Sequence, residues 1–416
     1  MKVGLTISEY ASLNSLKRFT TSTYESLSAG HELVLLPREY PLASPAERGR
    51  IAEDFLRRCD VVVGMLEPGL LAARRRLRSS VPFATIMHGD LPVGAWNLRN
   101  ALADLTTGDV LVVTSTSEVE IAHRLFCNAT VAVLPFAYDV DTFYPLDEEE
   151  RRAARERLGF GEGDRIILYS GRVNPEKNVH WLLRIFDVVC RRVPDARLVL
   201  AGSAPTARTY MDLFGTEPVW LQNTYSRLIS ELDHPERVHF GPGDDRRLRE
   251  LYNVADVVVN LTLNPDENFG MAQVEAMACG TPVVGTAWGG LKDTVVDGVS
   301  GYLVSTVPTA TGVRLSWWEA VNRVVALLED RAALGELRGG CLRAAERYTP
   351  ERYGARMGEI LAAAARSRDR PAAPLQPTPF AEELWSVCDP RKPGATFRRG
   401  PRSEEIYCAL ANPFTA

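Results

Sequence analysis

Long apolar runs are missing from this chain of 416 residues: nothing approaches the ~18 consecutive apolar residues of a membrane-spanning helix. Paired cysteines are missing as well. The seven cysteines stand at 59, 127, 190, 279, 341, 388 and 408 with no Cys-x-x-Cys among them, and Cys59, Cys190 and Cys279 lie in apolar segments. That pattern supplies no disulfide framework; buried free thiols in a reducing cytoplasm are the expectation. Surplus positive charge is lacking: a formal net charge of −5 argues against a nucleic-acid binder. No Gly-x-Gly-x-x-Gly follows the first strand, which removes a dinucleotide site. A leader peptide is not evident either, because Lys2-Val3-Gly4-Leu5-Thr6-Ile7 reads as a strand from the start. What remains is ordinary, at 45% hydrophobic and 24% charged, enough for full-sized cores in two or three domains.

The chain is organised around one stretch, Asp266 to Val284. Val257-Val258-Val259 upstream predicts a buried strand, and a polar loop through Asn264, Pro265, Asp266 and Glu267 follows. Residues from Gly270 to Cys279 favour helix, Gly280 suits the position just past its end, and Pro282 forbids continuation before Val283-Val284 opens another strand. Strand, loop, helix, strand is one unit of a parallel α/β sheet. The helix has no polar face, so it should be buried all round. Yet it carries Glu275, and a buried carboxylate costs several kcal/mol unless something pairs with it. A ligand's hydroxyls or a distant arginine would serve. Glu267 sits eight residues earlier at the helix entrance, where free backbone N–H groups attract anions.

A second cluster lies upstream. Arg165-Ile166-Ile167-Leu168-Tyr169-Ser170 predicts a strand that runs into Gly171, Arg172 and Lys177, with a helix after them. Two cations at a strand's carboxyl end beside a helix N-terminus make an anion site.

The two glutamates, with seven residues between them, Asn-Phe-Gly after the first and Glu-Ala-Met-Ala-Cys-Gly-Thr-Pro-Val-Val at the second, resemble the E-x7-E motif of retaining glycosyltransferases of family 4. Gly171-Arg172 with Lys177-Asn178 resembles that family's G-R-x-x-x-x-K-N. The likeness covers residues 160 to 350 well and the first half loosely. It implies the α/β GT-B fold, two Rossmann-like doubly wound domains facing across a cleft. It also implies roles. Arg172 and Lys177 clamp the donor diphosphate, Glu267 holds the donor sugar, and Glu275 holds the ribose. Backbone groups of Asn268, Phe269, Gly270, Met271 and Ala272 line sugar and phosphate, and Gly241 in Phe240-Gly241-Pro242-Gly243 lies at the base's edge. A histidine near the donor sugar maps to His88, at the end of the strand Pro82–His88, with Asp90 a weaker candidate.

The first half departs from the family's pattern. Where relatives have a glycine pair after the first strand, this chain reads Glu9-Tyr10-Ala11-Ser12-Leu13-Asn14-Ser15, whose Ser12, Asn14 and Ser15 serve equally as hydrogen-bond donors or a helix cap. Strands are predicted near Lys2–Ser8, Glu32–Leu36, Asp60–Met65, Pro82–His88, Asp109–Ser115 and Thr130–Pro135. Leu70–Arg78 is a short basic helix that suits a solvated face better than an anionic membrane surface. Asp139-Val140-Asp141 is the chain's one Asp-x-Asp, the pair that GT-A enzymes use to hold a metal, here misplaced for that work.

The expected divisions are an acceptor domain over 1–145, a linker over 146–164, a nucleotide-sugar domain over 165–349, a helix over 350–370 crossing back to the first domain, and a tail over 371–416 rich in proline and aromatics that should pack extended on a domain surface. The expected reaction moves a hexose-type sugar from a nucleotide diphosphate sugar to a small-molecule, glycan or lipid acceptor, with retention, no metal and no further cofactor. The rival readings are a GT-B sugar-nucleotide epimerase and an inactive partner subunit that only binds sugar nucleotides.

Overall fold

The computed structural model describes residues 1–6, 14–87, 91, 99–102, 104–173, 177–202, 218–241, 245–264, 267–309, 312–368 and 371–387. It divides into two compact units, Met1–Ala137 with the segment that starts at Tyr348, and Tyr138–Arg347.

The first unit is built on six parallel strands: β1 (Lys2–Leu5), β2 (Glu32–Leu35), β3 (Val61–Gly64), β4 (Phe83–Ile86), β5 (Val110–Val113) and β6 (Thr130–Val133), in the order β2-β1-β3-β4-β5-β6. The run Val61-Val62-Val63 and the run Val110–Val113 are buried along their whole length, as central parallel strands covered on both faces must be. Local signals set the helices. Ser44 and Glu47 form a reciprocal capping box and Pro45 takes the first turn of the helix Pro45–Arg57. The helix Pro350–Ser367 returns to this unit and buries Tyr353, Met357, Ile360, Leu361 and Ala364, one stripe at helical spacing, in the same core as Val3, Leu5, Val61 and Ile86. The Tyr353 hydroxyl lies 2.7 Å from Thr23 Oγ1.

The second unit has six parallel strands too: β7 (Arg165–Ser170), β8 (Ala196–Ala201), β9 (Val238–Gly241), β10 (Val257–Asn260), β11 (Val283–Thr286) and β12 (Gly301–Val304), in the order β12-β11-β10-β7-β8-β9. A short antiparallel pair, β13 (Thr306–Thr309) and β14 (Gly312–Leu315), follows. The chain thus starts this sheet in the middle, at β7, and builds outward both ways. Such a reversal leaves a crevice at the carboxyl ends of the two central strands, here β7 and β10.

Three sequence expectations change. The basic helix, observed over Pro68–Leu77, keeps Arg75 and Arg76 on an exposed face, as expected, but Arg74 does not join them. Arg74 is buried and bidentate to Asp109 (2.6 and 3.0 Å), Arg75 meets Asp104 and Arg76 meets Glu53. The tail is extended only at first, bridging Thr106 with Pro374 and Phe126 with Pro377. Thr378 then caps a helix, Pro379–Val387, with its hydroxyl accepting from the Ala381 N–H at 3.1 Å and proline in the first helical position. The β13–β14 pair was not expected at all, since Pro308 and the short threonine-rich runs carry little alternation.

Candidate functional site

Both sequence clusters fall at the β7/β10 crevice. After β7 come Gly171 and Arg172; after β10 the chain passes through 261–264 to Glu267. Asn178 ties the two loops together. Its backbone is left-handed (φ 54°), its Nδ2 donates to the Leu261 carbonyl at 2.8 Å, and its own carbonyl accepts from Trp181 and Leu182 to start the helix Val179–Arg192. Tyr169, wholly inside, donates to the Arg172 carbonyl at 2.5 Å. Burial first, and then the Glu267 carboxylate, raise its phenol well above the usual range.

The loops meet in an ion pair. The Lys177 ammonium donates to Glu267 Oε2, with the two side chains 15% and 9% exposed. Arg172 is half-buried beside them and enters no ion pair among the described residues. The Glu267 backbone rests on Gly289-Gly290. The Gly290 N–H donates to the Glu267 carbonyl at 2.8 Å, and a Cβ on Gly289 or Gly290 would stand 2.2 Å from the carbonyl oxygen of Glu267 or Asn268. No side chain fits there, so the glycine pair is the floor of this loop.

Next comes the helix Met271–Ala278, with Gly270 as its N-cap. Phe269 is buried, whereas Asn268, Met271 and Ala272 keep partial exposure, so the start of the helix is not sealed from solvent. The helix ends as its sequence requires. Gly280 (φ 78°) donates to Met277 and Thr281 to Ala276, which is a Schellman closure.

Glu275, 4% exposed, has a partner that the sequence does not reveal. Tyr252, from the helix Asp245–Val254, brings its hydroxyl to 3.2 Å from Glu275 Oε2 and 3.0 Å from Ser170 Oγ. A carboxylate only accepts, so the phenolic proton points to Glu275. Burial foremost, with Glu275 adding, keeps that phenol far from ionising. A tyrosine 23 residues upstream leaves no pattern in the sequence; only the folded sheet brings it to β7.

The other sequence candidates stand as follows. Asp139 is spent on its own turn, accepting from the N–H groups of Asp141 and Thr142 at 3.1 Å and from the Thr142 hydroxyl at 2.7 Å. Gly241 ends β9, where a Cβ would press on Leu251 and Val199, and its neighbour Phe240 is 69% exposed. Asn14 opens the helix Asn14–Ser28. His88, Asp90 and Ser12 lie outside the described residues.

Residues 150–330 match the family described as Glycosyl transferases group 1. D-inositol 3-phosphate glycosyltransferase from Xylanimonas cellulosilytica is 31% identical over 73% of this chain and 70% of its own length. The enzyme of that name from Mycolicibacterium vanbaalenii is 33% identical over 54% of this chain and 49% of its own. Among solved structures, sucrose-phosphate synthase from Thermosynechococcus elongatus has a TM-score of 0.62 at 18% identity, over 87% of this chain and 98% of that one. Anabaena HepE in complex with UDP-glucose has 0.64 at 20%, over 87% and 100%. These two likenesses speak for the GT-B fold, and the identity to the Xylanimonas protein over most of both chains speaks for the family. The chain is a GT-B glycosyltransferase and belongs to glycosyl transferases group 1.

Proposed function

We propose that this protein transfers a hexose-type sugar from a nucleoside diphosphate sugar to an acceptor hydroxyl, with retention and without a divalent metal. The observation that carries the reading is the Lys177–Glu267 pair, held at a sheet switch point beside the N-terminus of the helix Met271–Ala278. A diphosphate placed there takes N–H groups from the helix and charge from Lys177 and Arg172. Charge-assisted bonds of this kind contribute roughly 1.5–3 kcal/mol each. They count most as negative charge builds on the departing diphosphate.

Released from Lys177 by the incoming phosphate, Glu267 is free to accept from donor-sugar hydroxyls. Glu275, already oriented by Tyr252, accepts from the ribose. Neither carboxylate is assigned the part of a glycosidase acid or base, a pair that must straddle one bond. The leaving phosphate takes the acceptor's proton, and the new bond forms on the face the phosphate leaves. His88 is assigned to the donor-sugar wall on the resemblance alone. The Xylanimonas relative is named for D-inositol 3-phosphate, which supports a small-molecule acceptor in general terms.

The test begins with a thermal-shift screen of UDP-, GDP-, ADP- and dTDP-sugars; a binder at a hundredfold over its Kd adds ~2.7 kcal/mol of stability. Turnover of the stabilising donor is then followed in EDTA, and the anomeric configuration of the product is read by NMR. An inverted product would sink retention. Activity lost in EDTA and restored by Mn²⁺ would sink metal independence. Binding without turnover on any acceptor would favour the inactive-subunit reading.

A further inference from the structure

The amino ends of the second sheet carry a cluster of arginines that the proposed chemistry leaves unused. The three residues ahead of β10 are each held by a different guanidinium. Arg155, from the helix Glu148–Arg157, donates to the Val254 carbonyl at 3.2 Å. Arg338, from the helix Arg331–Ala345, donates to the Ala255 carbonyl at 2.9 Å. Arg331, at the start of that helix, meets the wholly buried Asp256 carboxylate at 2.5 Å. Arg151 is the fourth. It stands one turn before Arg155 on the same helix face, a like-charge spacing that is unfavourable by itself. Its Nε is buried without a hydrogen-bond partner, and among the described residues Arg151 enters no ion pair.

Charge here does not balance. Four guanidinium groups surround one buried carboxylate, Asp256. Burial first depresses the Arg151 pKa; Asp256 opposes it, Arg155 and Arg331 add to it, and Glu148 opposes it least. Burial, and then Arg151, take Arg338 down to about 10, which leaves it charged at neutral pH. Other acids nearby are engaged or solvated. Asp164 gives Arg155 only its carbonyl, and its carboxylate meets Arg197. Asp330 caps its own helix. Glu148, Glu149, Glu156 and Glu162 are exposed, where water and salt screen them.

A cavity of about 670 Å³ opens on this cluster, lined by Arg151, Arg152, Arg155 and Arg331 with Phe160, and by those four glutamates. Its size suits a small molecule. The six residues of β7 separate it from the donor crevice by roughly 20 Å at the rise of a parallel strand. A guanidinium offers only donors, in a planar fork that matches phosphate oxygens. A phosphomonoester brings about −1.5 to −2 charge and three acceptor oxygens, which is what a surplus of arginines takes.

We propose that this cavity binds a phosphate group, with Arg151 and Arg331 donating to its oxygens. The site is separate from Arg172 and Lys177 and does not depend on the transferase reading. The glutamates of the lining accept from hydroxyls and repel further negative charge. A single phosphate on a hydroxyl-bearing body therefore suits the cavity better than a chain of phosphates.

The test is calorimetric, on the full chain, with ribose 5-phosphate and inorganic phosphate as probes at one ionic strength set by chloride. Each titration is repeated in Lys177→Met, so that binding at the donor crevice is recognised by its loss. The variants are Arg151→Gln and Arg151→Lys. Arg151 holds no partner in the fold, so both should melt with the parent. The expected result is saturable binding of ribose 5-phosphate that survives Lys177→Met and largely returns in Arg151→Lys. In Arg151→Gln it should weaken about tenfold, the scale of one charge-assisted hydrogen bond. Inorganic phosphate bound as tightly as the ester would name the free ion as the ligand of the same site. No saturable binding of either probe, binding lost in Lys177→Met, or equal binding in Arg151→Gln and the parent would each overturn the inference. An Arg151→Gln variant that melts well below the parent would overturn it too, by making Arg151 part of the fold.

Discussion

Lys177 and Glu267, 90 residues apart in the chain, close an ion pair that is almost sealed from solvent. Removing one partner of a buried pair costs about 3–5 kcal/mol, because the other charge stays behind in a poor dielectric. Lys177→Met and Glu267→Gln should therefore each lower the denaturant midpoint, and the double variant should lose clearly less than the two single losses combined. Strict additivity in a double-mutant cycle by urea unfolding would show that the two side chains do not meet in solution. In turnover the two variants should part company. Lys177→Met should weaken nucleoside diphosphate binding, whereas Glu267→Gln should chiefly lower kcat, since on the proposed function it meets the reacting sugar.

Tyr252 and Glu275 invite a second cycle. The phenol orients the carboxylate that the proposed function sets against the ribose, so Tyr252→Phe should weaken nucleoside diphosphate binding about tenfold, which is ~1.4 kcal/mol. In a Glu275→Gln background the same change should matter much less. Calorimetric titration of the four proteins decides it. A full tenfold effect of Tyr252→Phe in the Glu275→Gln background would mean that the tyrosine acts on the nucleotide by another route.

These two pairs mark the limit of what the sequence discloses. Arg172, Lys177, Glu267 and Glu275 were legible because strand, loop and helix signals surround them within short windows. That β7 and β10 are neighbours was not legible, because α/β alternation implies a parallel sheet but not its strand order. Tyr252 was not legible, because it sits on the helix before β10 and reaches Glu275 only through packing. The floor under Glu267 was not legible: Gly289-Gly290 is visible as a glycine pair, but its contact with the 267–268 backbone is a tertiary fact. The helix Pro379–Val387 could have been read from Thr378-Pro379 and the acidic first turn; the prolines around it masked the signal.

Gln273 supplies the third prediction. It is wholly buried in the helix Met271–Ala278, and among the described residues neither its Nε2 nor its Oε1 has a hydrogen-bond partner. Its amide fills the space beside Gly270, where a Cβ would come within 2.5 Å of Oε1. A buried, unpaired polar group costs about 1–3 kcal/mol. Gln273→Met keeps the length and removes both polar atoms, so the melting temperature should rise, by ~2–4 °C per kcal/mol for a domain of this size. A lower melting temperature would show that the amide is satisfied in solution, by water or by a shifted loop.

The last prediction concerns acid. His180 and His239 both lie in the second unit, and both have their pKa pulled below 6.5. Burial is the leading cause in each. Arg184 adds to it for His180; for His239, Arg197 adds to it and Asp164 opposes it. The His239 ring stands edge-on to Phe160 with centroids 5.8 Å apart, and its Nε2 is buried without a hydrogen-bond partner. Protonation there would create a charged N–H with nothing to receive it. The direction of the pH effect follows from linkage. Above 6.5 both imidazoles are neutral, folded or unfolded, and their contribution to stability is complete. Below 6.5 the unfolded chain takes up protons that the folded protein resists, so stability falls as the pH drops from 6.5 through the lower folded values. His180→Gln and His239→Gln should each flatten the fall in unfolding free energy over that window while changing little at pH 8. Urea midpoints at pH 8, 6.5 and 5 measure it. An acid slope as steep in the double variant as in the parent would assign the loss to carboxylates, whose protonation acts lower on the pH scale.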